Sequence, residues 1–355
     1  MAVIRAVELG FGTSSFTTGE YKNHNPIITT FSSLVSQVDP TKEGLSAGLN
    51  SRDTVRVKIK DSYYEVGADA ALVADKKSAR VLNNTYISSH QYQALLLGAL
   101  YYINEPTIDL LVLGLPVENW GKRDELKNLV IGKHEINGRF VEVKDAWVIV
   151  QPLGGLLAYA NSIGQDGYNE LRGLNVLSVD PGYGTYDWIV SQGLKVNDSR
   201  SGGEDLGMSA VLDSVSKVLR LSFPTLTDFP VEKLDEAFYK HKDHIRIAGR
   251  KYPFPVCKGK DCEGDAVNVE FDLRGAIETV TRAAVTKMKN VVGNGGDIDE
   301  IILMGGPHEV YKNALQEAYP NHKIKVVKNP LTAVCAGMHF GGLQYYQALT
   351  KAKVA

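Results

Sequence analysis

Two short segments about 170 residues apart share one layout. Val7-Glu8-Leu9-Gly10-Phe11-Gly12-Thr13-Ser14-Ser15 and Val179-Asp180-Pro181-Gly182-Tyr183-Gly184-Thr185-Tyr186-Asp187 each read as an apolar strand, a carboxylate, a glycine-rich turn with a hydroxyl, and a return strand. One such turn constrains little, because glycine serves any tight turn. A matched pair constrains much more. Two facing hairpins of this kind present backbone N–H groups to both sides of a phosphate chain and hold two carboxylates ready for Mg²⁺ or its waters.

With 355 residues the chain has room for two domains of ordinary size, and 44% apolar residues fill their cores. A net charge of −2 gives no global nucleic-acid footprint, so no direct nucleic-acid binding is expected and any DNA contact is indirect. There are three cysteines, no signal-peptide pattern, and no apolar run near the roughly 18 residues of a membrane span. The expectation is a soluble, cytoplasmic protein without a membrane anchor. Cys257 and Cys262 have the spacing of half a zinc site but lack a second pair, so they read as reduced loop cysteines, and His241 and His244 as solvated helix residues.

Periodicity fills in the elements between the loops. Residues 2–9 alternate as a strand with 16–21 as hairpin partner, and 39–53 form a polar loop. Residues 54–59 and 63–66 make a second hairpin, 90–103 have helical spacing, and 108–113 form a continuous apolar strand. The second half repeats this order with a strand at 175–179, a hairpin to 190, a helix at 206–219 opened by Gly202-Gly203-Glu204-Asp205, and an amphipathic helix at 273–292 stopped by Gly293. The result is a duplicated β-β-β-α-β-α pattern.

These residues resemble the actin, Hsp70 and sugar-kinase ATPase superfamily, in which two phosphate loops and an adenosine loop occur in this order. Ile301-Ile302-Leu303-Met304-Gly305-Gly306-Pro307 is similar to the adenosine loop. Val150-Gln151-Pro152-Leu153-Gly154-Gly155 is similar to the first connecting segment, and Leu331-Thr332-Ala333-Val334-Cys335-Ala336-Gly337 to the second. The resemblance implies an α/β actin-like ATPase fold of two duplicated RNase H-like domains with a nucleotide cleft between them. It places domain I at 1–170 with a small subdomain at about 30–85, domain II at 171–332 with a small subdomain at about 205–270, and a C-terminal helix at 333–355 returning to domain I.

The resemblance also implies roles. Glu8 and Asp180 hold Mg²⁺ through water, and Gln151 orients the lytic water, since an amide is a poor base. ATP contacts fall to Gly10, Phe11, Gly12, Thr13 and Ser14, to Gly182, Tyr183, Gly184 and Thr185, and to Gly203, Glu204, Gly305, Gly306 and Pro307. Thr13, Ser14 and Thr185 read equally well as turn-capping hydroxyls; for Glu8 and Asp180 a turn carboxylate bonded to nearby N–H groups is the weaker alternative, because the two occur at matched positions, and Asp187 reads as a support of the second loop. Two departures stand out: the first loop has Glu8 where Asp is usual, and Ser15 where a phosphate-contacting Lys often occurs. The first shifts the metal–water network and the second removes a charge that stabilises the transition state, so nucleotide binding is better supported than fast hydrolysis.

Within the superfamily, Gly114-Leu115-Pro116-Val117, Val66-Gly67-Ala68-Asp69-Ala70 and Asp180-Pro181-Gly182-Tyr183 resemble the ParM/StbA plasmid-segregation actins, including protein D of PRTRC plasmid systems. Phe31-Ser32-Ser33 is similar to their Phe-Pro-Ser element, with Ser32 in place of the proline. The implied function is an ATPase that polymerises head to tail and moves plasmid DNA through a DNA-bound adaptor of the ParR type. Two alternatives remain open: a non-polymerising ATP-gated binding module, and a small-molecule kinase.

Overall fold

The computed structural model describes residues 2–39, 41, 52–72, 86–226 and 231–354. Most of the expected polar loop at 39–53 lies outside them. Two five-stranded sheets organise the chain. The first contains β1 (Ile4–Leu9), β2 (Thr13–Lys22), β3 (Asn25–Ser32), β4 (Leu110–Leu115) and β5 (Ala146–Val150) in the order β5-β4-β1-β2-β3. The second contains β6 (Asn175–Pro181), β7 (Tyr186–Gln192), β8 (Lys195–Glu204), β9 (Glu300–Leu303) and β10 (Ile324–Val326) in the order β8-β7-β6-β9-β10.

Both sheets follow one plan. The carboxylate-bearing strand is central, antiparallel to its hairpin partner and parallel to a crossover strand. Glu8 faces Ser15 across β1–β2, and Asp180 faces Asp187 across β6–β7. Val7 lies beside Leu113 of β4, and Val179 beside Leu303 of β9. All six residues of β4 are buried, as an apolar run covered on both faces requires. This strand starts later than its apolar run suggests. Asp109 interrupts the run by accepting the Val3 N–H at 2.8 Å, leaving Thr107–Ile108 to pair with Arg139–Val143 instead.

Helix α1 (His90–Ile103) occupies the span its spacing predicts. Ser89 caps it by accepting the Tyr92 N–H at 3.1 Å, and Asn104 closes it in the left-handed region. The second-half helix differs from expectation. Gly202, Gly203 and Glu204 continue β8 opposite Trp188, Asp187 and Tyr186, so α3 runs over Met208–Ser222, after α2 (Gln151–Ser162). The reason is packing: a Cβ on Gly202 would lie 2.8 Å from the Trp188 ring, and one on Gly203 2.6 Å from Asp187 Oδ1. These glycines serve close strand approach rather than a helix start.

Two further expectations are corrected. His241 sits in a turn at φ 47° after the helix Val231–Tyr239, and His244 opens the strand His244–Ile247, so neither is helical. Left-handed backbone at His241 ends the helix. Cys257 is buried and donates to the Lys260 and Val269 carbonyls, whereas Cys262 is exposed. Among the described residues no cluster of three or more His, Cys, Asp or Glu gathers to hold a metal, and no helix is long and apolar enough to cross a membrane.

A shared core joins the two sheets. Ile4, Ala6, Leu110 and Val112 of the first sheet and Val176, Ile189 and Ile302 of the second belong to one buried cluster with Leu156 of α2 and Val334 and Met338 of a long C-terminal helix. Numbered after α4 (Arg274–Val292), that helix is α5 (Ala333–Val354). It meets α2 where neither carries a side chain: a Cβ on Gly337 would fall 1.7 Å from the Gly154 carbonyl oxygen, and one on Gly154 2.8 Å from that of Val334. A Gly337→Ala substitution is therefore expected to push the helices apart and cost about 1–3 kcal/mol. Urea denaturation measures this, and an unchanged midpoint would show that the crossing is looser than described.

Candidate functional site

A cavity of about 1100 Å³ lies where the central strands of the two sheets end. Glu8, Gly10, Phe11, Gly12, Thr13 and Ser15 line it from the first loop, and Asp180, Gly182, Tyr183, Gly184, Thr185 and Asp187 from the second. Gln151, Gly305, Gly306 and Pro307 complete that floor. The two loops are closed by the same hydrogen bond, Gly10 N–H to Thr13 O at 3.1 Å and Gly182 N–H to Thr185 O at 2.7 Å.

Each loop is also held from behind by its carbonyls. In the first, Ser33 donates its N–H to Gly12 O at 3.0 Å and its hydroxyl to Gly10 O at 2.6 Å, and Tyr86 OH reaches Gly10 O at 3.3 Å. In the second, the N-terminal N–H groups of α3 do this work: Gly207 to Gly184 O, Met208 to Gly182 O, and Ser209 to Tyr183 O at 2.7 Å. In a planar trans peptide the N–H points opposite its carbonyl. Tying the carbonyls back therefore turns the amides of Phe11, Tyr183, Gly184 and Thr185 away from these supports, an arrangement suited to an anion.

Not every expected residue reaches the cavity. Ser14 points into the core, fully buried, with its hydroxyl 2.9 Å from that of Ser33, because strand alternation sends Thr13 and Ser15 to the cavity side. Gly203 lies behind Asp187, and Glu204 accepts from Lys287 at 2.6 Å; neither lines the cavity. Thr185 does, but its hydroxyl donates to Asp187. Asp187 in turn accepts the Val117 N–H at 2.8 Å, so the Gly-Leu-Pro-Val turn of the first half rests on the second loop.

Other residues went unread in the sequence. Ser33 and Tyr86 support the first loop; the resemblance marked Ser33 as part of the Phe31-Ser32-Ser33 element without giving it this role. Glu232, Lys233, Glu236, Phe238, Phe254 and Ile277 line the outer part of the cavity. All but Ile277, which lies on the amphipathic helix α4, fall on irregular, proline-broken sequence.

The site is electrostatically one-sided. Burial raises the Glu8 carboxyl well above the usual range and Asp180 adds to this, opposed by a hydrogen bond from the Cys335 N–H. Burial pushes both Asp180 and Asp187 up to about 7, with Asp187 adding to the shift of Asp180. Glu8 Oε2 is buried without a hydrogen-bond partner. Gly305, at φ 85°, brings the third loop onto this group: a Cβ there would lie 2.7 Å from Asp180 Oδ1 and 2.2 Å from Pro181 O. An orphaned carboxylate oxygen beside a second carboxylate fits a hydrated divalent cation, which commonly takes one or two protein carboxylates and completes its shell with phosphate and water. Gln151 opens α2 at the cavity edge, and Gly114 leaves room for it, since a Cβ there would lie 3.0 Å from Gln151 Cγ.

The raised carboxyls have a consequence for stability. The folded state keeps protons that the unfolded chain releases between about pH 4 and 7, so unfolding free energy falls as pH rises through that window. Without ligand, the protein is expected to melt at a lower temperature at pH 8 than at pH 5.5, and Asp180→Asn to flatten the slope. Thermal melts across pH measure this; a melting temperature that climbs over the window would contradict the buried cluster.

Residues 6–154 match the N-terminal domain model of actin-like proteins. A 15-stranded ParM filament from Clostridium botulinum superposes with a TM-score of 0.73 at 18% identity, covering 97% of this chain and 100% of that one. The archaeal actin homologue Ta0583 in complex with ADP superposes with a TM-score of 0.70 at 13% identity (96% and 99% covered), and the actin-like protein Alp7A with 0.68 at 16% (99% of each). No curated protein matches the chain in sequence. Nearly the whole chain thus has the actin-like ATPase fold, and residues 6–154 match the N-terminal domain of actin-like proteins.

Proposed function

We propose that the chain is an actin-like, Mg²⁺-dependent ATPase that assembles head to tail into filaments, serving plasmid DNA segregation through a DNA-bound adaptor. The observation that carries this reading is the pair of matched loops closing one cavity around Glu8, Asp180 and Gln151. Likeness in fold to a ParM filament and to an archaeal homologue solved with ADP supports it. The protein D group of the PRTRC plasmid systems is the nearest reading within the ParM-like proteins.

Bound Mg-ATP supplies the scissile phosphoanhydride and a cation that offsets the charge of its phosphates. The chain supplies the rest. The amides of both loops and the hydroxyls of Thr13 and Ser15 bind phosphate oxygens. Glu8 and Asp180 orient the metal's water shell, and Gln151 holds the attacking water by its amide. Asp180, which burial holds protonated up to about pH 7, would have to lose its proton to hold the cation, so affinity for Mg-ATP is expected to rise with pH through about 7. Phe238, Phe254 and Ile277 offer apolar surface to a base on the outer side. Self-association follows if nucleotide fixes one relative setting of the two halves, because a heterologous contact that does not close on itself propagates as a filament.

Right-angle light scattering and sedimentation in Mg-ATP, Mg-ADP and a non-hydrolysable ATP analogue test the reading. Pelleting is expected with ATP and its analogue, to be weaker with ADP, and to vanish in Asp180→Ala. Gln151→Ala is expected to keep nucleotide binding and lose about a hundredfold in hydrolysis. A protein that binds ATP yet stays monomeric in every state would rule out the filament and leave an ATP-gated binding module. ADP release that requires a small acceptor would instead identify a kinase.

A further inference from the structure

Each phosphate loop carries an aromatic residue between two glycines, Gly10-Phe11-Gly12 and Gly182-Tyr183-Gly184. None of these four glycines has a positive φ, so backbone conformation does not require glycine at any of them. Their neighbours explain two of the four. A Cβ on Gly184 would lie 2.4 Å from Phe11 Cδ2 and 2.9 Å from its Cγ. A Cβ on Gly12 would lie 2.7 Å from Tyr183 Cβ and 2.9 Å from its Cγ. The ring of each loop thus rests on the last glycine of the other.

The two rings are anchored differently. Phe11 is buried and lies against Tyr86 with the rings tilted by 32° and their centroids 4.6 Å apart, and Tyr86 meets Tyr92 edge-on at 5.1 Å, which ties the ring into the first half. Tyr183, from the second half, packs against the buried clusters of both halves. These rings cross the boundary between the loops at the cavity floor.

We propose that Phe11 and Tyr183 are positioning residues: their reciprocal packing sets the separation of the two phosphate loops and makes the relative setting of the two halves depend on the length of the bound phosphate chain. The inference rests on the nucleotide-cleft reading and deepens it. Without the rings each loop keeps its own turn hydrogen bond, its carbonyl supports and its amides, so each still binds phosphate. What is lost is the rigid link by which the first loop registers an occupant of the second. A di- and a triphosphate then differ less in the closure they stabilise, because a ligand shifts an equilibrium only by its differential contacts with the two states.

Two measurements test this. The first needs no nucleotide. Gly184→Ala is expected to destabilise the wild-type chain but to add little in a Phe11→Ala background, because the new methyl strikes ring atoms that Phe11→Ala removes. Gly12→Ala, by contrast, strikes Tyr183 Cβ, so Tyr183→Ala is not expected to rescue it. Urea denaturation of the singles and doubles reads this asymmetry, and equal cost of Gly184→Ala in both backgrounds would overturn the interlock. The second titrates fluorescent ATP and ADP analogues into protein too dilute to assemble. Phe11→Ala and Tyr183→Ala are expected to reduce the ATP-to-ADP affinity ratio by about tenfold, with Phe11→Tyr and Tyr183→Phe restoring it. An unchanged ratio in Phe11→Ala, or a wild-type ratio already near one, overturns this inference alone. A wild type that binds neither nucleotide overturns the reading beneath it as well.

Discussion

Glu8, Asp180 and Asp187 are buried together where two sheets end, and the groups that shift them include no Lys or Arg. Charges withdrawn from water without a partner are costly, and proteins respond by protonating them or by supplying a cation. Hydrogen bonds relieve part of the strain: Thr185 and Val117 on Asp187, and Cys335 on Glu8. What remains is a concentrated anionic floor beneath loops whose amides are turned to receive another anion. On the proposed reading, a metal–phosphate complex, positive on one side and negative on the other, fits between the two features.

The same floor reaches the junction of the two halves. Helix α2 begins at Gln151, and α5 places the Cys335 N–H on Glu8, so both crossing helices start at the site. They cross at Gly154 and Gly337, where the absence of side chains brings their axes close and lets Val334 and Met338 of α5 pack over Gly154. Further along α2, Tyr159 OH donates to Glu300 at 3.0 Å and receives Lys325 Nζ at 3.0 Å, linking the helix to β9 and β10.

Sequence carried the architecture because the duplicated loops are local patterns. Carboxylate, glycine turn and hydroxyl lie within nine residues, and strand alternation or helical spacing brackets them. It failed where a residue's role is set by a partner far along the chain. Gly203 looked like part of a helix start, but Asp187 across the strand pair decides its place. Ser14 looked like a phosphate ligand, yet one step of strand alternation turned it to Ser33. Ser33 lay in a recognised Phe31-Ser32-Ser33 segment whose role only the fold reveals, and Tyr86 and the outer lining at 232–254 carry no motif, since their positions follow from tertiary packing alone.

The two departures in the first loop become intelligible at this level. A glutamate is one methylene longer than the usual aspartate, and Glu8 spends that length reaching the N-terminus of α5, where the Cys335 N–H bonds its carboxylate. A carboxylate at a helix N-terminus is favourable through the exposed amides and the helix dipole. The first loop is thereby fastened to the helix that joins the halves, a link a shorter side chain would have to stretch to make. Ser15 occupies the cavity side of β2 with a hydroxyl where a cation would stabilise charge developing on the terminal phosphate. On the proposed reading, binding rests on amides and metal while the chemical step lacks a point charge. The combination favours a long-lived nucleotide-bound state, in which hydrolysis sets a lifetime rather than a rate of turnover.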